Sequence, residues 1–220
     1  MPTSCVYVVD DEILVLQSLA HLLTDAGFTV KTFTSAKAFL DQVPTDARGC
    51  VILDLVMVDE NGLDVQTHLA GHGYHMPILF LSGRADTLDA VTAMKAGAVD
   101  FLTKPVDIIR LLATVKKALE LDQTRRDAYT KRQQMQAQLT RLTPRERQIL
   151  HEVVLGYPNK LIAANLGRSE KTIKIHRSRI KQKLGTTSVI ELVRFVWQTE
   201  QSHRIGDHPA PHTHSMENAG

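Results

Sequence analysis

Cysteine is nearly absent from this sequence: Cys5 and Cys50 are the only two in 220 residues. Two cysteines cannot make a disulfide framework, and each opens an apolar run, so both read as small core residues. No apolar stretch approaches the ~20 residues of a membrane span. The start, MPTSCVYVVDDE, lacks the basic opening and long apolar centre of a signal peptide. Internal repeats and low-complexity tracts are missing too. From Asp107 to about Leu139 there is neither Gly nor Pro, so no turn is signalled there. Together these absences predict a reduced, cytoplasmic protein with no membrane segment.

What is present falls into two parts. With 43% hydrophobic and 23% charged residues, the chain can bury the core of one or two domains. Met1 to Asp122 carries 9 Lys/Arg and 16 Asp/Glu, a net −7, whereas Gln123 to Gly220 carries 17 and 8, a net +9. So large a difference predicts two domains with different partners, the basic one directed at nucleic acid.

In the first half, apolar strand-like runs alternate with helical patterns. CVYVV (5–9), FTVKTF (28–33), CVILD (50–54), PILFLS (77–82) and VDFLT (99–103) read as strands. Helical patterns follow over 13–27, 35–43, 63–71, 86–97 and from Asp107 onward. Five β-α units with right-handed crossovers predict an α/β fold, a doubly wound five-stranded parallel sheet covered on both faces. The helix from Asp107 turns mostly polar in its second half. Apolar residues there recur every seventh position (Leu121, Ala128, Met135, Leu142), which leaves a weak coiled-coil seam and a solvated connector both open.

A second, all-α domain begins at LTPRERQIL, where Thr143 and Glu146 form a capping box around Pro144. Four short helices are expected, at 144–155, 159–166, 170–184 and 188–198. The expected division is 1–120, a helical connector 121–140, a helical domain 141–200 and a disordered tail 201–220. His203, His208, His212 and His214 in that tail read as solvated rather than metal-binding.

Four predicted strand ends carry matching chemistry. Asp10, Asp11 and Glu12 follow the first strand, Asp54 ends the third, Ser82 the fourth, and Lys104 follows the fifth. Carboxyl ends of such strands meet at the topological switch point. Clustered carboxylates repel unless a cation joins them, and a hard oxygen site with few protein ligands suits Mg²⁺. An aspartate there can act as a nucleophile toward phosphorus, with the hydroxyl and ammonium on the phosphoryl oxygens.

Residues 3–120 resemble the receiver domains of bacterial two-component response regulators, through VVDDE, ILDLVMVDENG, LS and VDFLTKP. The resemblance implies a flavodoxin-like fold and Asp54 as phosphoacceptor. It implies Asp11 as a direct Mg²⁺ ligand, Asp10 as holder of metal-bound water, and the Val56 backbone carbonyl as a further ligand. Ser82 and Lys104 would contact the phosphoryl group, and Phe101 would be the aromatic that turns inward when Ser82 engages it. One position departs: the family carries proline after the methionine where this chain has Val58. Valine neither fixes φ nor lacks the N–H, so the loop after Asp54 is expected to differ.

The helix SEKTIKIHRSRIKQKLG carries six basic residues, with Lys171, Lys174, Ile175 and Ser178 on one face. Ile173, Ile180 and Leu184 lie on another and can pack inward. With the short helix and Gly167 turn before it, this makes a helix-turn-helix. Residues 141–198 resemble the LuxR/NarL type of DNA-binding domain. By that resemblance Lys174, Ile175 and Ser178 face bases, while Lys160, Lys171, Thr172, Arg177 and Arg179 touch phosphates. Val189, Leu192, Val193 and Val196 of the last helix would mediate dimer contact on DNA. The combination is most similar to FixJ-like transcriptional response regulators.

That resemblance implies a phosphorylation-controlled DNA-binding regulator rather than an enzyme. Its partners would be a sensor histidine kinase, a double-stranded DNA operator, RNA polymerase and a second copy of itself. Two other readings stand beside it. In one, the receiver serves only as a phosphorylation-independent dimerisation module. A haloacid-dehalogenase-type phosphatase shares the Asp nucleophile and Mg²⁺, but needs a second acid two residues on, where this chain has Val56.

Overall fold

The computed structural model describes residues 4–58, 60–83 and 87–206, and these divide into two compact units, 1–127 and 128–220. In the first unit β1 (Cys5–Val9), β2 (Thr29–Phe33), β3 (Gly49–Asp54), β4 (Ile78–Ser82) and β5 (Asp100–Thr103) form one sheet. All neighbours pair in parallel, in the order β2-β1-β3-β4-β5. Helices α1 (Ile13–Asp25), α2 (Ala36–Gln42), α3 (Gly62–Gly71) and α4 (Thr87–Lys95) connect them, and α5 (Ile108–Thr140) follows β5. The strand order reverses between β1 and β3, which is where such sheets bind ligands.

Period-two alternation explains the two cores. Tyr7, Val9, Val51, Leu53 and Phe80 point to one face, beneath Phe33, Phe39 and Val65. Val6, Val8, Cys50, Ile52, Leu79 and Leu81 point to the other, beneath Leu16, Leu19, Leu111 and Val115. Strands buried on both faces read as continuous apolar runs, as these do. Cys5 and Cys50 are both buried and free, as expected, and burial pushes the Cys50 thiol up to about 12.

Helix α5 runs unbroken through the expected connector, 121–140, and both units claim part of it. Asp122 and Arg126 belong to the first unit. Buried Asp122 accepts the Gly49 N–H at 3.0 Å and is gripped by Arg126 Nε at 2.9 Å. The Arg126 guanidinium also donates to the carbonyls of Asp46 and Ala47. Met135 and Leu142, candidates for a coiled-coil seam, are buried instead in the core of the second unit.

That second unit comprises α6 (Pro144–Val154), α7 (Asn159–Asn165), α8 (Glu170–Leu184) and α9 (Val189–Gly206) around Ile149, Leu150, Ile162, Ile173, Ile180 and Leu192. The Thr143–Glu146 capping box is formed in both directions. Pro158 precedes α7 without a side-chain cap, and the helix still starts at Asn159 as expected. Helix α9 runs to Gly206, so 201–206, expected in the tail, are helical; no helix breaker interrupts the sequence before Gly206. The disorder expected for 207–220, with His208, His212 and His214, lies outside the described residues. Among the described residues no helix is long and apolar enough to cross a membrane.

Candidate functional site

Sheet register assembles the acidic residues. Val9 pairs with Leu53, so the residues that follow, Asp10 and Asp54, leave the sheet side by side. At the adjoining tips Ser82 pairs with Thr103, and Lys104 comes next. Lys104 Nζ donates to Asp10 Oδ2 at 2.7 Å and Asp54 Oδ2 at 3.3 Å, and reaches Glu12 Oε1 at 3.5 Å. Asp10 and Asp54 are buried, and Ser82 is wholly so.

Electrostatics in this cluster are unbalanced. Burial pushes the Asp54 carboxyl above the ordinary carboxylate range, and the Asp10 charge adds to the rise; Lys104 and the Val56 N–H offset only part of it. Burial alone would lower Lys104, but its hydrogen bond to Asp10 and the charge of Asp54 outweigh that and hold its ammonium above the ordinary value. Carboxylate oxygens of Asp10, Glu12 and Asp54 lie within 4.8 Å of one another. Three carboxylates facing one ammonium are hard oxygen donors in negative excess, which fits Mg²⁺.

One expected ligand lies outside that cluster. Asp11 is not among the clustered carboxylates: its Oδ2 accepts the Val58 N–H at 2.9 Å. Glu12 joins the cluster; the sequence set it at the same strand end but gave it no ligand role. The Val56 N–H reaches Asp54 Oδ1 at 3.5 Å, and Val56 forms an isolated bridge with Asn61. Phe101 is half-buried, its ring centre 6.2 Å from that of Phe80. Gly62 was also missed. A Cβ there would meet the Asp54 carbonyl oxygen at 2.5 Å, so only glycine lets α3 start so close to the acceptor strand.

In the second unit, Ser169 caps α8 by accepting the Thr172 N–H, and Ile173, Ile180 and Leu184 are buried as expected. The opposite face leaves Lys171, Lys174, Ile175, Ser178 and Arg179 exposed, with Lys160 exposed on α7. Half-buried Arg177 is tied to α7 by a 2.6 Å bond to Asn159 Oδ1, and the Thr172 hydroxyl lies 2.8 Å from that of Ser169. An exposed cationic face with one apolar residue, on a helix held by its opposite side, is the arrangement that reads a major groove.

The four expected dimer residues differ in exposure. Leu192 is buried in the unit's own core, with Val189 and Val196 packed against it. Of the four only Val193 is exposed, and the 3.6-residue period puts exposed Ile190 and Trp197 on its side of α9.

Comparison with known proteins matches this geometry. Residues 6–116 match the family described as "Response regulator receiver domain". Residues 140–196 match "Bacterial regulatory proteins, luxR family". The response regulator protein TmoT of Ectopseudomonas mendocina is 42% identical over 199 residues, 90% of each chain. Among solved structures, response regulator StyR is 38% identical with a TM-score of 0.81, covering 89% of this chain and 99% of that one. Full-length FixJ from B. japonicum is 35% identical with a TM-score of 0.56, covering 91% and 99%.

Proposed function

Since the chain belongs to the FixJ-like response regulators, with a receiver and a luxR-type DNA-binding domain, it is a phosphorylation-controlled transcriptional regulator, and we propose that Asp54 takes the phosphoryl group. The observation that carries this assignment is the Lys104 ammonium held between Asp10 and Asp54 at the switch point. A sensor kinase and DNA are the partners that the two domains require.

In this reading an Asp54 oxygen attacks phosphorus, forming an acyl phosphate as the donor's bond to phosphorus breaks. The nucleophile must be ionised, and Lys104 offsets part of the burial that favours its proton. Asp10, Asp11, Asp54 and the Val56 carbonyl would hold Mg²⁺, which supplies positive charge against the phosphoryl oxygens. Lys104 and Ser82 then hold those oxygens, and Ser82's movement leaves room for Phe101 to turn inward. The coupled change favours a homodimer, and two joined DNA-binding domains gain about 10²–10⁴-fold over one when the geometry fits. On DNA, the exposed stripe Ile190, Val193 and Trp197 is the face offered to the second copy. Lys174, Ile175 and Ser178 read bases, and Lys160, Lys171, Thr172, Arg177 and Arg179 hold phosphates. RNA polymerase is the further partner, and the cytoplasm, where bacterial DNA lies, the place of action.

Incubation with a small phosphodonor and Mg²⁺ tests the acceptor. The intact mass should rise by one phosphoryl group, and Asp54→Asn should abolish the rise. Labelling that persists in Asp54→Asn rejects the assignment.

A further inference from the structure

The loop after Asp54 and the loop after β1 are joined by one bond, Val58 N–H to Asp11 Oδ2 at 2.9 Å. Val58 is 88% exposed as a residue and makes this bond through its backbone donor. A proline at 58 would have no such donor. The bond holds the Asp11 carboxylate while Asp10, Glu12 and Asp54 cluster without it.

We propose that the Val58 N–H is a latch on Asp11, and that a divalent cation enters this site only by exchange with that hydrogen bond. This rests on the reading of Asp11 as a metal ligand. Neither Asp11 oxygen lies in that cluster, so the carboxylate must move to reach a cation held there, and the move pulls Oδ2 away from the Val58 N–H. The latch therefore subtracts from cation affinity, and Val58 is a positioning residue for the metal. It also couples two events. As Asp11 turns to the cation, the segment around Val58, beside the phosphoacceptor, loses its tether to the β1–α1 loop.

Calorimetric titration of the full-length protein with Mg²⁺ alone tests this. Val58→Pro should bind roughly threefold to tenfold more tightly than the parent, the range for losing one solvent-exposed competing hydrogen bond. Val58→Ala keeps the N–H and should match the parent, while Asp11→Asn should bind far more weakly. The Val58 amide proton of the parent, followed by NMR, should move upfield as Mg²⁺ is added, because it loses a carboxylate acceptor. That signal decides the matter even if the proline variant folds poorly. Unchanged or weaker binding by Val58→Pro, or an amide proton that does not move, overturns the latch while a weak Asp11→Asn leaves the ligand reading intact. Full affinity in Asp11→Asn overturns the ligand reading, and the latch with it.

Discussion

Lys104 reaches across from β5 to donate to Asp54 at 3.3 Å, yet the contact does not cancel the cost of burying that carboxylate. With its pKa raised, folded Asp54 holds its proton more tightly than unfolded Asp54 does. The sign follows from linkage. As pH rises, Asp54 begins to destabilise the fold at the ordinary aspartate value, and the loss is complete above the raised folded value. Asp54→Asn cannot ionise and should melt higher than the parent at about pH 7, where unfolded Asp54 is fully ionised. The gain should vanish at about pH 3, below the ordinary aspartate value and so below the raised one. Thermal melts at the two pH values check this, and equal melting at the upper one would remove the argument from carboxylate repulsion.

A second contact ties α5 to the sheet. Asp122, with its side chain 3% exposed, has Arg126 as its cation and the Gly49 N–H as a further donor. Arg126→Ala would leave a buried carboxylate without its counter-charge, at a cost of about 2–4 kcal/mol because Arg126 itself is partly solvated. Exposed Arg125→Ala should change stability by less than ~0.5 kcal/mol. Denaturant unfolding of both variants measures the difference. If the two behave alike, the Asp122–Arg126 pair is not what anchors this turn of the helix.

Much of the fold was legible because its signals are local. Apolar runs such as CVILD mark buried strands, and Gly27, Gly97 and the Thr143–Glu146 box mark helix ends. The candidate site was legible through register: residues one step beyond paired strands must be neighbours, so Asp10 and Asp54 met as expected. What was missed depends on contacts between distant segments. Nothing near Asp122 in sequence announces Gly49, which lies 73 residues away. A polar composition made 121–140 look like a connector, although Met135 fills the second core. On α9 the family resemblance implied an interface at Val189, Leu192, Val193 and Val196, but the helix packs Leu192 into its own core and exposes Ile190 and Trp197. Asp11 stands apart from the cluster for a related reason, since its partner is a backbone N–H that no side-chain pattern records.

Glu146 does two jobs in the second unit. It completes the cap at the Thr143 N–H at 2.8 Å and pairs with Lys183 Nζ at 2.6 Å. Burial alone would raise its carboxyl, but the Lys183 and Thr143 hydrogen bonds outweigh that and hold it below the ordinary glutamate range. A lowered pKa means stability that is present above the unfolded value and lost as pH falls through the folded one. Glu146→Gln should cost about 1–2 kcal/mol at neutral pH, from the weakened charge-assisted bonds. That deficit should shrink as the pH drops below the ordinary glutamate value. A deficit independent of pH would mean that packing, not charge, holds this cap.

Lys174 and Lys160 are both exposed cations, one on α8 and one on α7, and a net-charge argument would treat them alike. Their neighbours separate them. Lys174 adjoins Ile175 and lies one turn from Ser178 on the exposed face of the helix whose opposite side is buried through Ile173 and Ile180. A lysine in that position can reach guanine O6 and N7, and Ile175 can meet a thymine methyl. Lys174→Ala should therefore cost ~1–3 kcal/mol at one or two operator positions and relax the base preference there. Lys160 has no such setting and would meet the phosphate chain. Lys160→Ala should weaken all sequences about equally and flatten the salt dependence by about one unit of slope. Sequence enrichment on randomised duplexes, with affinities measured at several salt concentrations, distinguishes the two. Interchangeable effects would mean that the exposed face of α8 is not the one that reads the bases.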